Sequence, residues 1–386
     1  MKFIILMKTF YHIKLQFFIF IVFLFISQQS TYSQQLIIRD SIVHNGTYRY
    51  YNLYIPAAYT SGQSVPLLFN FHGYGQTASA QNQYANFMPM ADSTNFILVL
   101  PEGTLLSGIS HWNVGLLVSQ VDDIDFVLKL IDSISATYTI NQNRIYATGF
   151  SNGAYLSQLL ASRTNKFAAI ASVSGSITPV NFASLSPEHP VSVMMINGTS
   201  DFIVPYSGLA NSKPIEDVIN YWVGYNNCNL TPNVFAIPDT NLADAANAQK
   251  FSYLSGNNGS KVVLIKVNNG GHTWPGSAYI AGITCMDFSA STEIWNFLKD
   301  FSLSTNTNNY QPQNKDVIFY NSINQSIEIS NLIEKNFNLE IISAKGNKIF
   351  ETKNQLSIHI NNLSNGIFII RLYTKDKVYY KKIMKG

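Results

Sequence analysis

The sequence has 386 residues, of which 25 are Lys or Arg and 22 are Asp or Glu, a length that allows one large domain and a smaller one. Residues 34–311 contain 11 basic and 16 acidic residues, whereas residues 312–386 contain 11 and 6. This asymmetry indicates two units. A mildly acidic larger unit argues against nucleic acid as a partner, because affinity for phosphate comes from clustered Lys and Arg.

Residues 1–33 have the pattern of a secretory signal peptide. Three lysines precede the apolar run "LQFFIFIVFLFI" (15–26), and small residues follow up to Ser33. The run is shorter than the roughly 20 apolar residues that a membrane span needs. We therefore expect cleavage after Ser33, no stable membrane span in the mature chain, and a secreted protein in the extracellular space or at the cell surface.

From residue 34 to residue 301, short apolar runs alternate with helix-like segments. The predicted strands are 51–56, 66–71, 95–101, 144–149, 167–173, 191–198 and 261–267, and the predicted helices are 122–138, 152–163, 214–226 and 289–300. Several strands are apolar throughout, which is typical of strands buried on both faces. The alternation predicts an open, mainly parallel α/β sheet with helices on both faces. The first two of these strands could form a hairpin at one edge.

The composition changes after Phe301. Residues 302–314 are rich in Asn, Ser, Thr and Gln, which is typical of a linker. Residues 315–386 alternate apolar with polar positions between Gly and Asn turns. This period of two predicts a small antiparallel β-sandwich.

The stretch Gly149-Phe150-Ser151-Asn152-Gly153 lies between a predicted strand and a predicted helix. Gly-x-Ser-x-Gly in this context is the pattern of a nucleophile elbow, in which a tight turn holds the serine in a strained conformation at the carboxyl end of the sheet. A glycine-rich turn with no chemistry is the alternative. The presence or absence of a suitable base and acid elsewhere in the sequence distinguishes the two interpretations.

A nucleophilic serine needs a base and an acid that orients the base. Asp201 follows the predicted strand 191–198, and His272 follows the predicted strand 261–267. The order Ser, Asp, His, with both partners after later strands, is the order that this kind of site requires. The rival acids, Asp239 and Asp244, lie in a polar loop. Singly, Asp201 could be a turn residue and His272 a loop residue.

Two backbone amides should stabilise a negatively charged oxygen beside the serine. One is the N–H of Asn152, directly after Ser151. The other should come from the loop "HGYG" (72–75), which follows a buried strand. We assign it to Tyr74, with the neighbouring Gly73 as the alternative, and expect His72 to hold the loop in place.

Trp112 and Trp274 lie next to these loops and could stack on a substrate ring, although both could equally be core residues. Cys228 and Cys285 are the only cysteines, and secretion makes a disulfide between them a reasonable hypothesis. Two buried thiols are the alternative. No metal site is expected, because no Cys-x-x-Cys or His-x-His spacing surrounds them.

Five motifs together resemble a known family. They are "FHGYGQTA", "HWNVG…VDDIDFV", "NRIYATGFSNGAYLSQLLA", "NGTSDFIVPY" and "GGHTWPG…STEIWNFL". In this order they resemble the secreted polyhydroxybutyrate depolymerases and the feruloyl and acetylxylan esterases, which belong to the α/β-hydrolases. The resemblance covers about residues 35–301. It implies Ser151 as nucleophile, His272 as base, Asp201 as its partner, and Tyr74 and Asn152 as the oxyanion hole.

The tail resembles the type IX secretion sorting domain of bacterial proteins, on the basis of "LSNGIFIIRLYTKDKVYYKKIMKG" (363–386). The Pro-Asn-Pro opening of that family is missing, and "VIFYNSI" (317–323) stands in its place. The resemblance implies that the secretion machinery is a partner of this segment.

The resemblance implies a serine esterase that needs no cofactor. An ester on a plant polysaccharide, feruloyl or acetyl, is the first hypothesis for its substrate, and a polyhydroxybutyrate-type polyester is the second. A peptidase-like amide hydrolase and a non-catalytic surface-binding protein are alternatives of other classes. Activity on simple chromogenic esters would separate the non-catalytic protein from the enzymes.

Overall fold

The computed structural model describes residues 36–303, 317–321, 324–329, 336–343, 347–374 and 378–385. The chain divides into two compact units between Leu303 and Ser304. The predicted signal peptide (1–33) and all but the first two residues of the predicted linker (302–314) lie outside the described residues. No helix in the described ranges is long and apolar enough to cross a membrane.

The larger unit is built on one ten-stranded sheet. Its strands, with a separate two-stranded hairpin (β5 and β6), are β1 (Leu36–His44), β2 (Thr47–Ile55), β3 (Val65–Phe71), β4 (Ile97–Pro101), β5 (Thr104–Leu106), β6 (Ile109–His111), β7 (Ile140–Phe150), β8 (Ala169–Val173), β9 (Ser192–Gly198), β10 (Asn233–Ala236), β11 (Asn247–Tyr253) and β12 (Val262–Asn268). The strand order in the sheet is β1-β2-β4-β3-β7-β8-β9-β12-β11-β10. The six central strands, from β4 to β12, are parallel. Their carboxyl ends therefore lie along one edge, called here the carboxyl edge.

Helices cover both faces of the sheet, as the sequence predicts. They are α1 (Ala78–Ala85), α2 (Met88–Thr94), α3 (Asp123–Thr137), α4 (Asn152–Arg163), α5 (Pro179–Ala183), α6 (Ile215–Tyr225) and α7 (Ala290–Leu298), with a 3₁₀ turn at Asn257–Gly259. Helices α3, α4 and α6 pack on one face and α1, α2 and α7 on the other. Every residue of β3 is buried, with Phe69 in one face's core and Leu68 in the other's. This is why such strands are apolar throughout.

The predicted hairpin of segments 51–56 and 66–71 was wrong. Strand β2 pairs with β1 and β4, whereas β3 is a parallel strand between β4 and β7. The hairpin at this edge joins β1 to β2 through Asn45 and Gly46, both with positive φ, which is the conformation that a two-residue hairpin turn requires. Strand β1 was missed because its residues "LIIRDSIVH" mix polar with apolar side chains, as an edge strand does.

The disulfide hypothesis was also wrong, because Cys228 and Cys285 are both free. Cys228 lies in the core on the α6 side of the sheet, and Cys285 lies in the core on the α7 side. The sheet separates them. The Sγ of Cys228 contacts the carbonyl of Ser260 and the Sγ of Cys285 contacts Asp287. Burial raises the pKa of Cys285 to about 12 and raises the pKa of Cys228 as well.

The second unit is the expected antiparallel β-sandwich. Its strands are β13 (Ile318–Asn321), β14 (Ser326–Ile329), β15 (Asn338–Ser343), β16 (Lys348–Lys353), β17 (Ser357–His359), β18 (Gly366–Tyr373) and β19 (Val378–Lys385). They form a three-stranded sheet, β13-β14-β17, and a four-stranded sheet, β16-β15-β18-β19. Inward residues of both sheets, among them Ile327, Leu339 and Ile370, share one apolar core. The alternation of period two gives each strand one buried face.

The two thiols give a direct test of this arrangement. In denaturant without reductant, a thiol reagent should titrate two thiols per chain, and dithiothreitol should leave the melting temperature unchanged. In the native protein the same reagent should react much more slowly, since both thiols are buried and protonated. Titration of no thiols in denaturant without reductant would contradict the separation of the two cysteines.

Candidate active site

Ser151 stands between the end of β7 and the start of α4, in a backbone conformation that L-residues rarely adopt. Its φ is 52° and its ψ is −116°, a strained combination that is typical of functional turns. The N–H of Ser151 is fixed by the carbonyl of Val173 at 2.9 Å, and its carbonyl accepts from Ala154 and Tyr155. The side chain is thereby presented at the carboxyl edge, at the positive end of α4.

Two glycines make this turn sterically feasible. A Cβ at Gly149 would lie 2.6 Å from the backbone of Gly153, and a Cβ at Gly153 would lie 2.4 Å from the carbonyl oxygen of Phe71. Real contacts are never that short. The helix can therefore approach β3 and β7 only without side chains at these two positions.

The candidate acid and base are joined by a short hydrogen bond. The Nδ1–H of His272 donates to Oδ2 of Asp201 at 2.7 Å. The other carboxylate oxygen, Oδ1, accepts from the N–H groups of Ile203 and Val204 at 2.8 Å each. Asp201 is buried, whereas His272 is only partly buried. The bond from Nδ1 leaves Nε2 as the nitrogen that can accept a proton.

The backbones of the two loops are fastened together. The N–H of Ser200 donates to the carbonyl of Gly270 at 2.9 Å, and the N–H of Asn269 donates to Oγ1 of Thr199 at 2.9 Å. Gly198 permits this contact, since a Cβ there would lie 2.2 Å from the oxygen of Gly270. The separation of acid and base is thus set by backbone packing.

Two residues that the sequence analysis missed hold the loop of His272. The Oγ of Ser174 donates to the carbonyl of Thr273 at 3.0 Å, and the N–H of Trp274 donates to Oη of Tyr84 at 2.8 Å. Ser174 is buried and has a positive φ of 50°. Neither residue has a local sequence signal, because each acts on a segment far away in the chain.

The candidate base, His272, packs against Phe150, which directly precedes the candidate nucleophile Ser151. The ring of His272 lies 4.8 Å, centroid to centroid, from the ring of Phe150. Within the described residues, no hydrogen bond joins the hydroxyl of Ser151 to His272. Such bonds are often long before substrate binds. The bond between the candidate acid and the candidate base is thus formed in this structure.

The predicted oxyanion hole has suitable donors. The N–H groups of Tyr74 and Asn152 have no hydrogen-bond partner among the residues that the structure describes. The alternative donor, Gly73, is already used, because its N–H donates to Oε1 of Gln76 at 2.9 Å. A Cβ at Gly73 would lie 3.4 Å from Cβ of Ser151, so this loop lies against the serine.

His72 holds the loop 72–75 in place, as expected. Its Nε2 accepts from the N–H of Gly103 at 2.9 Å, so its Nδ1 carries the proton and donates to the carbonyl of Gly73 at 2.7 Å. That carbonyl belongs to the same rigid peptide plane as the N–H of Tyr74, which therefore points the opposite way. Burial lowers the pKa of His72 to about 4, so the ring is neutral at physiological pH.

The prediction of Trp112 and Trp274 as substrate contacts was wrong. Both are 1% exposed. The indole N–H of Trp112 donates to the carbonyl of His72 and that of Trp274 to Oγ of Ser291. The main chain of Trp112 is bonded in both directions to the side chain of Asn152, at 2.7 and 3.1 Å. Both tryptophans support the site from within the core.

A cavity of about 440 Å³ adjoins His272. Its walls combine aromatic and apolar side chains with two amides, and they are formed by Gln76, Ala80, Gln83, Tyr84, Phe150, His272, Tyr279, Ile280 and Ala281. A mostly apolar cleft with a few convergent polar groups is the usual form of a small-ligand site. The aromatic side chains in these walls are Tyr84, Phe150 and Tyr279, and neither tryptophan is among the lining residues.

Each of the two units contains a segment that matches a known protein family. Residues 49–205 match the family model described as "Esterase PHB depolymerase". Over this segment the chain is similar to the esterases that the model describes. Residues 317–386 match the model "Secretion system C-terminal sorting domain". The chain is therefore a carboxylic ester hydrolase with a type IX sorting domain, and it is secreted to the extracellular space or the cell surface.

Individual relatives are distant. The chain is 25% identical to the "Putative esterase NocK" of Nocardia uniformis subsp. tsuyamanensis over 67% of its own length and 81% of the relative's. It is 25% identical to "Feruloyl esterase B" of Piromyces equi over 64% of its length, which spans 44% of that protein. A solved acetyl xylan esterase from Aspergillus awamori aligns with a TM-score of 0.47 and 15% identity, covering 61% of this chain and 94% of that one.

The close packing around Gly153 predicts that one methyl group added there strongly destabilises the folded protein. Gly153→Ala should lower the free energy of unfolding by about 3 kcal/mol or more, because only backbone atoms could move away from the new Cβ. Gly224→Ala in α6 is the control. Its Cβ meets open space, so it should stabilise by up to about 1 kcal/mol. Urea denaturation followed by tryptophan fluorescence reports this unit alone, because all four tryptophans lie in it. Equal midpoints for both variants would contradict the steric explanation.

The burial of His72 predicts that the free energy of unfolding decreases at acid pH. Its pKa is about 4 when folded and near 6.5 when unfolded, so only the unfolded chain gains this proton as pH falls from 6.5 to 4. Stability that is present above pH 6.5 should decrease by about 3 kcal/mol across that window. In His72→Gln the pH dependence of the unfolding free energy should be smaller by about that amount. An unchanged slope in the variant would refute this role.

Proposed function

We propose that Ser151, His272 and Asp201 form a catalytic triad that hydrolyses feruloyl or acetyl esters on plant polysaccharide. The observation that carries the proposal is the 2.7 Å bond from Nδ1 of His272 to Asp201, at the same edge as the strained Ser151. A buried carboxylate in this position fixes the imidazole tautomer and stabilises the imidazolium.

In the first half of the reaction, Nε2 of His272 takes the hydroxyl proton of Ser151 as Oγ attacks the ester carbonyl carbon. The oxygen that becomes negative is stabilised by the N–H groups of Tyr74 and Asn152, a contribution of about 3–4 kcal/mol for each donor. His272 then gives its proton to the alcohol oxygen as the bond to that oxygen breaks. The alcohol leaves, and the acyl group remains on Ser151.

In the second half, water replaces the alcohol. His272 takes a proton from the water as its oxygen attacks the acyl carbon, and the same two amides stabilise the second tetrahedral intermediate. The bond from carbon to Oγ breaks, and His272 returns the proton to Ser151. A carboxylic acid is released and the enzyme is restored. Every proton in this sequence is carried by residues of the chain.

The choice of a polysaccharide ester is supported by the relatives and by the cavity. Relatives of this chain include proteins named feruloyl esterase and acetylxylan esterase. The cavity beside His272 offers the rings of Tyr84 and Tyr279 and the amides of Gln76 and Gln83. Rings and amides together suit a phenolic acyl group or a sugar. The description of the matching family model favours a polyester as the second candidate.

The decisive test is a comparison of the parent protein with Ser151→Ala and Ser184→Ala. The substrates are p-nitrophenyl acetate, methyl ferulate, acetylated xylan and polyhydroxybutyrate. Ser151→Ala should reduce kcat by at least about 10⁴-fold, whereas Ser184→Ala, which changes an exposed serine, should retain full activity. Turnover of methyl ferulate or acetylated xylan by the parent is expected.

Two outcomes would count against the proposal. Retained turnover in Ser151→Ala would remove the serine from the mechanism. Activity on polyhydroxybutyrate alone would replace the polysaccharide ester with the polyester.

A further inference from the structure

The carboxyl edge of the larger unit carries most of its strongly exposed apolar side chains. Between residues 36 and 303, eight large apolar side chains are at least 67% exposed. Six of them lie on the connections that follow β4, β8, β9 and β12, which leave the sheet at the same edge as Ser151. These six are called the apolar rim: Leu105, Val118, Val180, Phe202, Ile203 and Ile280. The other two are Leu230 and Leu242.

The loops that carry the rim lack free charge. Segments 72–77, 102–121, 174–183, 199–212 and 269–289 contain no Lys or Arg. Their acidic residues are Glu102, Asp201 and Asp287, and each is engaged. Glu102 accepts from the N–H of Ala78, Asp201 from His272, and Asp287 from the N–H groups of Thr240 and Asn241. A soluble protein normally intersperses charge on such a surface.

An exposed apolar surface of this kind marks a contact with another apolar surface. The rim segments and Ser151 lie at the same edge of the sheet, so a substrate surface that covers the rim must bring ester bonds to Ser151. The segments themselves offer no cation to a charged polymer or a nucleic acid. Lys213 and Arg163, which contact Phe182 and Asn181 from outside the segments, are bonded to Asp217 and to Asn181. A polysaccharide whose hydroxyls are blocked by acyl groups presents uncharged methyl-rich surface together with esters.

We propose that the apolar rim adsorbs the enzyme to water-insoluble, densely acetylated polysaccharide, so that surface esters enter the site. This inference rests on the function proposed above and adds the physical form of the substrate. The enzyme adsorbs to the acylated parts of the polysaccharide. When it removes acyl groups there, it weakens the attachment of the enzyme to that part. The enzyme then moves on to surface that still carries ester.

The test uses the full chain with Ser151→Ala, so that binding is measured without turnover. The rim variant replaces Leu105, Val118 and Phe202 with Ser. Its control replaces Leu230, Val234 and Phe235 with Ser, which are the same three residue types, exposed on or near the outermost strand β10. Adsorption isotherms are measured on insoluble acetylated xylan and on the same xylan after alkaline deacetylation.

The parent and the control should adsorb to acetylated xylan at least about tenfold more tightly than the rim variant. They should also prefer acetylated to deacetylated xylan by a similar factor. Equal adsorption by rim and control variants, or equal adsorption to both xylans, would overturn the proposal. Preferential binding of the parent to neutral phosphatidylcholine vesicles or to polyhydroxybutyrate particles would overturn it in favour of that surface.

Two further measurements separate the possible failures. Turnover of p-nitrophenyl acetate, measured with Ser151 intact, reports the site without adsorption. If the protein with Ser151 intact were inactive, the proposed function would be refuted. The adsorption isotherms, which do not depend on turnover, would still test whether the rim binds acetylated xylan. A rim variant that loses soluble-ester turnover as strongly as adsorption would show a distorted site and overturn the inference. The single variant Val118→Ser, at a residue 89% exposed, repeats the isotherm with the least risk to folding.

Discussion

The strained backbone of Ser151 is the constraint on which the rest of the site depends. A residue with φ of 52° and ψ of −116° persists only where its surroundings fix it. Here the fixing contacts are the bond from its N–H to Val173 and the glycine-mediated approach of α4 to β3. Because that approach puts α4 against the carbonyls of Phe71 and His72, the same packing brings the oxyanion loop to the serine.

Support for the site extends well beyond the residues that would touch a substrate. The main chain of Trp112 is bonded to the side chain of Asn152, and its indole is bonded to His72, which in turn holds the carbonyl of Gly73. One buried aromatic residue therefore links the two proposed oxyanion donors, Tyr74 and Asn152. On the other side, Ser174 and Tyr84 hold the loop of the base. Few residues would contact a substrate, whereas many residues fix the positions of those few.

The sequence predicted those parts of the site that have a local pattern. Buried parallel strands are apolar throughout, so their ends, and with them Ser151, Asp201 and His272, could be placed at one edge. Tertiary contacts have no such pattern. The tie between Ser174 and Thr273 and the burial of Trp274 depend on which distant segments meet. A tryptophan beside a motif looks the same in sequence whether it faces a substrate or the core. The edge strand β1 was hidden by its mixed polarity.

The order of the strands has a consequence for when the enzyme can first act. Ser151 and His272 are 121 positions apart in the chain (272 − 151), and β8 and β9 must pair between β7 and β12 before their loops can meet. A chain that has folded only as far as β9 has its serine turn but lacks the base. The proposed triad is therefore assembled only in the completed sheet. The amino-terminal half of the chain, which carries Ser151, therefore lacks the candidate base until residue 272 has been made and β12 has joined the sheet.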